Sequence, residues 1–156
     1  MGVEIERKFL VSDDSWREAA DVGTAYRQGY LIGSQQASVR VRIEGETAKL
    51  NIKSATLGIQ RQEFEYEIPL DEAKEILDTL CEQPQIEKVR HKLYHAGHLW
   101  EIDVFSGANQ GLIVAEVELS HVDEALELPA WVGQEVSDDP RYYNVCLVKQ
   151  PYNTWK

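Results

Sequence analysis

The stretch VEIERKFLV, residues 3–11, places Glu4, Glu6 and Lys8 at every second position, with Val3, Ile5 and Phe9 between them. A period of two is the mark of a β-strand, because successive side chains point to opposite faces. One face is apolar and needs a core. The other carries two carboxylates and an ammonium in series, and the environment that such a face requires decides the fold.

The pattern recurs along the chain. In SVRVRIE, Arg40 and Arg42 share one face and Val39, Val41 and Ile43 the other. In AKLNIK, Lys49, Asn51 and Lys53 alternate with Ala48, Leu50 and Ile52. Arg61, Glu63 and Glu65 lie opposite Gln62, Phe64 and Tyr66, and Lys88, Arg90 and Lys92 lie opposite Val89, His91 and Leu93. Glu101 and Asp103 oppose Ile102 and Val104, and Glu116 and Glu118 oppose Ala115, Val117 and Leu119. Any one such strand is explained by a solvated outer face on a half-buried sheet. Seven of them, holding nine of the sixteen lysines and arginines, call for another explanation.

Strands are expected over about 2–11, 24–33, 37–45, 47–54, 59–68, 86–95, 98–106 and 112–121. Gly45 and Ala96-Gly97 sit where short hairpins need turns. Helical signals are fewer. Ser12 followed by DDSWREAA offers an N-cap and an acidic first turn. LDEAKEILDTLC lines up Ala73, Ile76, Leu77 and Leu80. Asp139-Pro140 would cap and open a helix over RYYNVCLVK. Eight strands with few helices predict a mainly β, α+β fold: a closed eight-stranded antiparallel barrel with helices outside, in one domain spanning 1–156. Helices with single apolar stripes would cover the apolar outer face. The charged face then lines the lumen.

With 156 residues, a net charge of −11 and a pI near 4.8, the chain is a poor candidate for binding nucleic acid through phosphates. Cys81 and Cys146 have no C-x-x-C spacing and read as reduced thiols in helical segments. No apolar run is long enough to cross a bilayer and the first residues lack a signal-peptide pattern, so a soluble cytoplasmic protein with no membrane partner is expected.

A lumen holding both signs of charge is a poor structural core, because unpaired buried charge costs several kcal/mol per ion. Arginine forks and lysine point charges suit phosphate oxygens. Carboxylates suit hard divalent cations that share oxygen ligands with phosphate. Together they describe a metal–polyphosphate site, with Glu4 and Glu6 toward the metal and Lys8 toward phosphate.

These residues resemble the CYTH family, also called triphosphate tunnel metalloenzymes. The resemblance begins with E-x-E-x-K at Glu4, Glu6 and Lys8 and continues through Gln28-Gly29-Tyr30, VRVR at 39–42 and Lys53. It then runs through Arg61, Glu63 and Glu65, Lys88 and Arg90, IDVF at 102–105 and EVEL at 116–119, in matching order. It implies a tunnel that binds a triphosphate with Mg²⁺ or Mn²⁺, and most resembles the short bacterial inorganic tripolyphosphatases. Carried over residue by residue, Lys8, Arg40, Arg42, Lys53, Arg61, Lys88 and Arg90 would bind phosphates. Glu4, Glu6, Asp103, Glu116 and Glu118 would hold metal. Glu63 and Glu65 would lie near a second metal or the attacking water, and Tyr30 and Lys88 join them as candidates for the catalytic step. Lys49 and Lys92 share the charged face nearer the strand ends, where a solvated role serves equally well. The helix over RYYNVCLVK would shape one tunnel mouth.

Tyr30 is open between two roles. A phenol with pKa near 10 is a poor base, but neighbouring cations could lower it; hydrogen bonding to phosphate is the other role. His95 and His98 flank a turn without further soft ligands, which favours exposed histidines over zinc. The expected reaction is hydrolysis of tripolyphosphate to phosphate and pyrophosphate, with a triphosphate-containing small molecule as partner. A class IV-type adenylyl cyclase or thiamine triphosphatase on the same tunnel, and a non-catalytic polyphosphate-binding module, are the alternatives. A homodimer is compatible with the exposed elements.

Overall fold

Strand β1 (Gly2–Val11) closes the molecule, because both of its edges are occupied. In the computed structural model, which describes residues 2–33, 36–54 and 59–155, the other strands follow at short intervals. They are β2 (Thr24–Gly33), β3 (Ala37–Glu44), β4 (Thr47–Ser54), β5 (Gln60–Ile68), β6 (Ile86–His95), β7 (His98–Phe105), β8 (Ile113–Glu118) and β9 (Val132–Glu135). The order is β5-β4-β3-β2-β6-β7-β8-β1-β9, and β1 also pairs with β5. Every pairing is antiparallel. Eight strands therefore form a closed barrel, as the alternation predicts.

Closure divides β1 in two. Gly2–Ile5 pair with β5, while Glu6–Leu10 pair with β8 on the opposite edge. Beyond the end of β5 that first edge is taken by β9, which meets Phe9 and Val11. Sequence patterning does not predict β9: VGQE is four residues long and shows no alternation, so its pairing is imposed by the open edge. At the β6–β7 hairpin, Ala96 and Gly97 both take positive φ, 49° and 82°, as tight hairpin turns demand.

The apolar face of the strands points outward and is covered in two places. Helix α1 (Leu70–Thr79) lays Ala73 and Leu77 against Val41, Ile43 and Ala48. Gly29 makes that approach possible, since a Cβ there would stand 2.9 Å from both Leu77 Cδ2 and Cys81 Cβ. On the other side, Phe9, Trp100, Ile102, Ala115 and Val117 are covered by Trp16 and Trp131. The helix expected from Ser12 is only one 3-10 turn, Ser15–Glu18. Just one of its side chains, Trp16, is buried, too little apolar surface to hold a longer helix. Asp13, accepting from both the backbone N and the hydroxyl of Ser15, takes the role expected of Ser12. The helix expected from Pro140 also divides, into a 3-10 turn at Pro140–Tyr142 and α2 (Asn144–Lys149), with Tyr143 extended between them.

Helix α2 closes one end of the barrel. Its Leu147 and Val148 pack with Tyr30, Ile86, Phe105 and Val114, where the lumen turns apolar. No helix among the described residues is long and apolar enough to cross a membrane.

Candidate active site

Between α2 and the opposite rim, the lumen is a cavity of about 500 Å³. Eight lysines and arginines line it: Lys8, Arg40, Arg42, Lys49, Lys53, Arg61, Arg90 and Lys92. That is half of the sixteen in the chain, concentrated in a protein of net charge −11. Eight glutamates, at 4, 6, 44, 63, 65, 101, 116 and 118, share the wall.

Register sets the levels along this wall. Across β1–β8, Glu6 faces Glu118 and Lys8 faces Glu116; across β1–β5, Glu4 faces Arg61. Tyr30 faces Arg40 across β2–β3, and Lys53 faces Glu63 across β4–β5. Lys8, Arg40, Lys53 and Arg61 thus gather toward the α2 end. Toward the open rim stand Glu44, Glu65, Glu101 and Glu118, together with Lys49 and Lys92.

Opposite charges hold one another across the lumen. Lys53 Nζ is 3.1 Å from Glu4 and 3.9 Å from Glu63, and Arg61 pairs with Glu6. Arg90 reaches Glu116 at 3.1 Å and Glu101 at 3.3 Å, and Arg42 reaches Glu65 at 3.4 Å. Asn51, unassigned from the sequence, donates to Glu63 at 2.7 Å and to Glu65 at 3.2 Å. The pairing is incomplete. Among the described residues, the buried Nε of Arg40, of Arg42 and of Arg61 finds no hydrogen-bond acceptor. An unmade buried hydrogen bond costs roughly 1–3 kcal/mol, so these donors favour a bound anion.

The carboxylates divide by environment. Burial works to raise Glu6, but Lys53, Lys8 and Arg61 overcome it and hold the carboxyl below its ordinary value. Glu116 is likewise held low, with Lys8, Arg90 and Lys88 outweighing burial and Glu6. Glu118 is pushed up, by burial and then by Glu4, Glu6, Glu63 and Glu101. Burial raises Glu101 as well, despite Arg90.

Two expected site residues lie behind the wall. Lys88 is 3% exposed and Asp103 1%, and neither lines the cavity. Lys88 Nζ donates to Asp103 Oδ2 at 2.8 Å, and Arg90 grips both Asp103 oxygens through Nε at 2.7 Å and Nη2 at 2.8 Å. Asp103 is therefore the shared counter-ion of two cations, with both oxygens engaged. Burial brings the Lys88 ammonium down to about 8, against the pull of Asp103. Burial pushes the Tyr30 phenol up, outweighing the neighbouring Arg40. It hydrogen-bonds Arg40 and lines the cavity. Tyr26 lines the cavity too, and burial pushes it up to about 12.

Among the described residues, no three His, Cys, Asp or Glu side chains form a ready-made metal cage. A hard divalent cation that binds together with a polyphosphate needs only one or two carboxylates, with substrate oxygens and water completing its shell. Glu118, crowded by other carboxylates, and Glu6 opposite it are the best-placed donors, with Glu4 and Glu116 beside them. The turn histidines have other tasks. His98 Nε2 lies 2.5 Å from Glu124 and is largely buried, so it ties the segment after β8 to the β6–β7 hairpin.

Comparison with known proteins agrees with this geometry. The CYTH domain model matches residues 2–143. The chain belongs to the CYTH family. It is 49% identical to an inorganic triphosphatase of Acetivibrio thermocellus over 156 residues, covering 100% of this chain and 99% of the relative. It is 36% identical to an inorganic triphosphatase of Nitrosomonas europaea over 148 residues, 92% of this chain and 95% of the relative. A solved inorganic triphosphatase structure superposes with a TM-score of 0.67 at 34% identity, covering 93% of this chain and 97% of that one. A Hippeastrum protein, named for adenylyl cyclase but with a dominant triphosphatase activity, has a TM-score of 0.56 at 14% identity. It covers 78% of this chain and 80% of its own, and shows the shared barrel alone.

Of the residues the family motif singles out, Glu4, Glu6, Lys8, Tyr30, Arg40, Arg42, Lys53, Arg61, Glu63, Glu65, Arg90, Glu116 and Glu118 line one cavity. Glu44 was legible by parity, since it continues the Arg40–Arg42 face by one more step of two. Ser38 was legible in the same way, one step of two before Arg40, whereas Tyr143 and Ser54 carried no such signal. The tunnel keeps like charges close, so a bound polyanion with divalent cation should stabilise the native state. Saturating tripolyphosphate with Mg²⁺ is expected to raise Tm by several degrees in a thermal melt. An unchanged melt would mean that the charged faces do not act as one site.

Proposed function

We propose that this CYTH protein is an inorganic triphosphatase, a hydrolase that cleaves tripolyphosphate to phosphate and pyrophosphate inside the barrel. The observation that carries the reading is the single cavity holding half of the chain's lysines and arginines, three with unsatisfied Nε–H donors. Two relatives named inorganic triphosphatase support it.

The basic end, with Lys8, Arg40, Lys53 and Arg61, binds phosphoryl oxygens, and Arg42 and Arg90 continue the contact toward the rim. Phosphoryl transfer passes through a loose transition state, so positioning and charge stabilisation do most of the work. A divalent cation such as Mg²⁺ or Mn²⁺, held by carboxylates among Glu4, Glu6, Glu116 and Glu118, would neutralise phosphate charge and acidify a bound water. Glu63 and Glu65 are tied to Asn51, Lys53 and Arg42 and keep these groups aimed into the lumen. Lys88, which burial lowers to about 8, lies outside the cavity against Asp103, so its titration bears on the stability of the wall and not on a proton taken from the attacking water.

The deciding assay incubates purified protein with Mg²⁺ or Mn²⁺ and, separately, tripolyphosphate, ATP, thiamine triphosphate and pyrophosphate. Tripolyphosphate should be cleaved fastest, because its three phosphates span the cations without a nucleoside to accommodate. Cyclic AMP and pyrophosphate formed from ATP would identify a cyclase instead. Tight binding with no product from any substrate would leave a polyphosphate-binding module.

A further inference from the structure

Lys8 and Arg61 face each other's neighbourhood at the basic end of the tunnel, and a single aromatic ring touches both. Lys8 Nζ lies 5.4 Å from the centroid of the Tyr143 ring, and Arg61 Cζ lies 5.0 Å from it. Both distances are within the range in which the negative face of a ring attracts a cation. Tyr143 is 7% exposed and lines the cavity. Its phenol donates to the Ser137 carbonyl at 2.8 Å, which fixes the tilt of the ring.

We propose that Tyr143 is a positioning residue for the phosphate-binding cations, its ring holding Lys8 and Arg61 in place without neutralising them; this rests on the triphosphatase reading above. Lys8 makes the case. Its nearest carboxylate partner, Glu116, is 4.0 Å away, and its ammonium donates instead to the Tyr142 carbonyl at 3.3 Å. A close carboxylate would hold the ammonium equally well but would cancel the charge that phosphate needs. A carbonyl dipole and a ring quadrupole hold it and leave the full charge in place. Arg61 gains in a second way. It pairs with Glu6, and if Glu6 were to hold a metal the ring would still lie against the guanidinium.

The chain path around Lys8 fits this role. The Lys8 backbone N–H donates to Ser137 Oγ at 2.9 Å, and Val136 N–H donates to the Lys8 carbonyl at 2.8 Å. The strap that carries Tyr143 is thus fastened to the residue whose side chain it positions.

The test replaces Tyr143 in the full-length protein with Phe, Leu and a series of increasingly fluorinated phenylalanines. Tripolyphosphate affinity is measured by calorimetry without metal, and kcat and KM with Mg²⁺. Tyr143→Phe keeps the ring and should hold affinity within about twofold. Tyr143→Leu removes the quadrupole and should weaken affinity about tenfold, raising KM more than it lowers kcat. Fluorination empties the ring face at nearly constant size, so affinity should fall stepwise with each fluorine. Equal affinity for the Phe and Leu variants, or no trend along the fluorinated series, would overturn the role of the ring. Wild-type protein that binds tripolyphosphate but never cleaves it would sink the triphosphatase reading alone, since the affinity series needs no turnover.

Discussion

Asp103→Asn is expected to abolish turnover, by a factor of about 100 or more, and to destabilise the fold by roughly 3–5 kcal/mol, the range for breaking a buried ion pair from one side. Asp103 is the shared counter-ion of Lys88 and Arg90, with hydrogen bonds of 2.7 and 2.8 Å to both cations. Asparagine keeps the shape but offers one neutral acceptor to two buried cations. Arg90, held far above its ordinary value beside Asp103, stays charged with only Glu116 and Glu101 left to offset it. Lys88 can escape by losing its proton.

That escape gives the variant a signature in pH. Folding lowers Lys88 from 10.5 to about 8, so between these values the unfolded chain binds more protons and stability rises with pH. Below about 8 the cost of the buried ammonium is present in full. Removing Asp103 takes away a group that raises Lys88, so the window in which stability rises should extend to lower pH. Urea melts from pH 6 to pH 10 measure this directly. A variant with wild-type stability and a wild-type pH slope would show that Asp103 is not the counter-ion of this pair.

Asp103 also marks how far the sequence could be read. Strand parity assigned it to the lumen face correctly, because a period of two depends only on the backbone. Parity cannot tell a side chain at mid-wall from one sealed behind its neighbours. That difference arises because Tyr26 and Phe105 close over the Lys88–Asp103 pair, with Lys88 Nζ 5.8 and 5.4 Å from their rings. Tyr30 shows the same limit, since its cationic neighbours were legible and its burial was not. The barrel itself was legible because seven strands repeated one constraint. Strand β9, the 3-10 turn at Ser15 and the strap bearing Tyr143 were not, because each is shaped by the surface it meets. Tertiary contact overrides weak local preference in all three.

Glu118→Gln should separate function from stability in the opposite sense. Glu118 faces Glu6 across β1–β8, and its carboxyl is raised by burial and by Glu4, Glu6, Glu63 and Glu101. A carboxyl whose pKa is raised on folding costs stability while charged, and that cost disappears as pH falls through the raised value. Glutamine removes the cost at every pH. The metal-free variant should therefore melt at or above the wild-type temperature at pH 7. Turnover should nevertheless fall by orders of magnitude, because a charged donor for the divalent cation is gone. Glu116→Gln supplies the contrast: Glu116 offsets Arg90 at 3.1 Å, so its loss should lower Tm as well as turnover. Parallel melts and phosphate-release assays on the two variants decide the point. If Glu118→Gln turns over normally at ordinary Mg²⁺, Glu118 is a solvated rim residue and the cation is held deeper in the tunnel. If instead it melts well below wild type, the carboxylates around it are not repelling one another, and the electrostatic picture of the open rim is wrong.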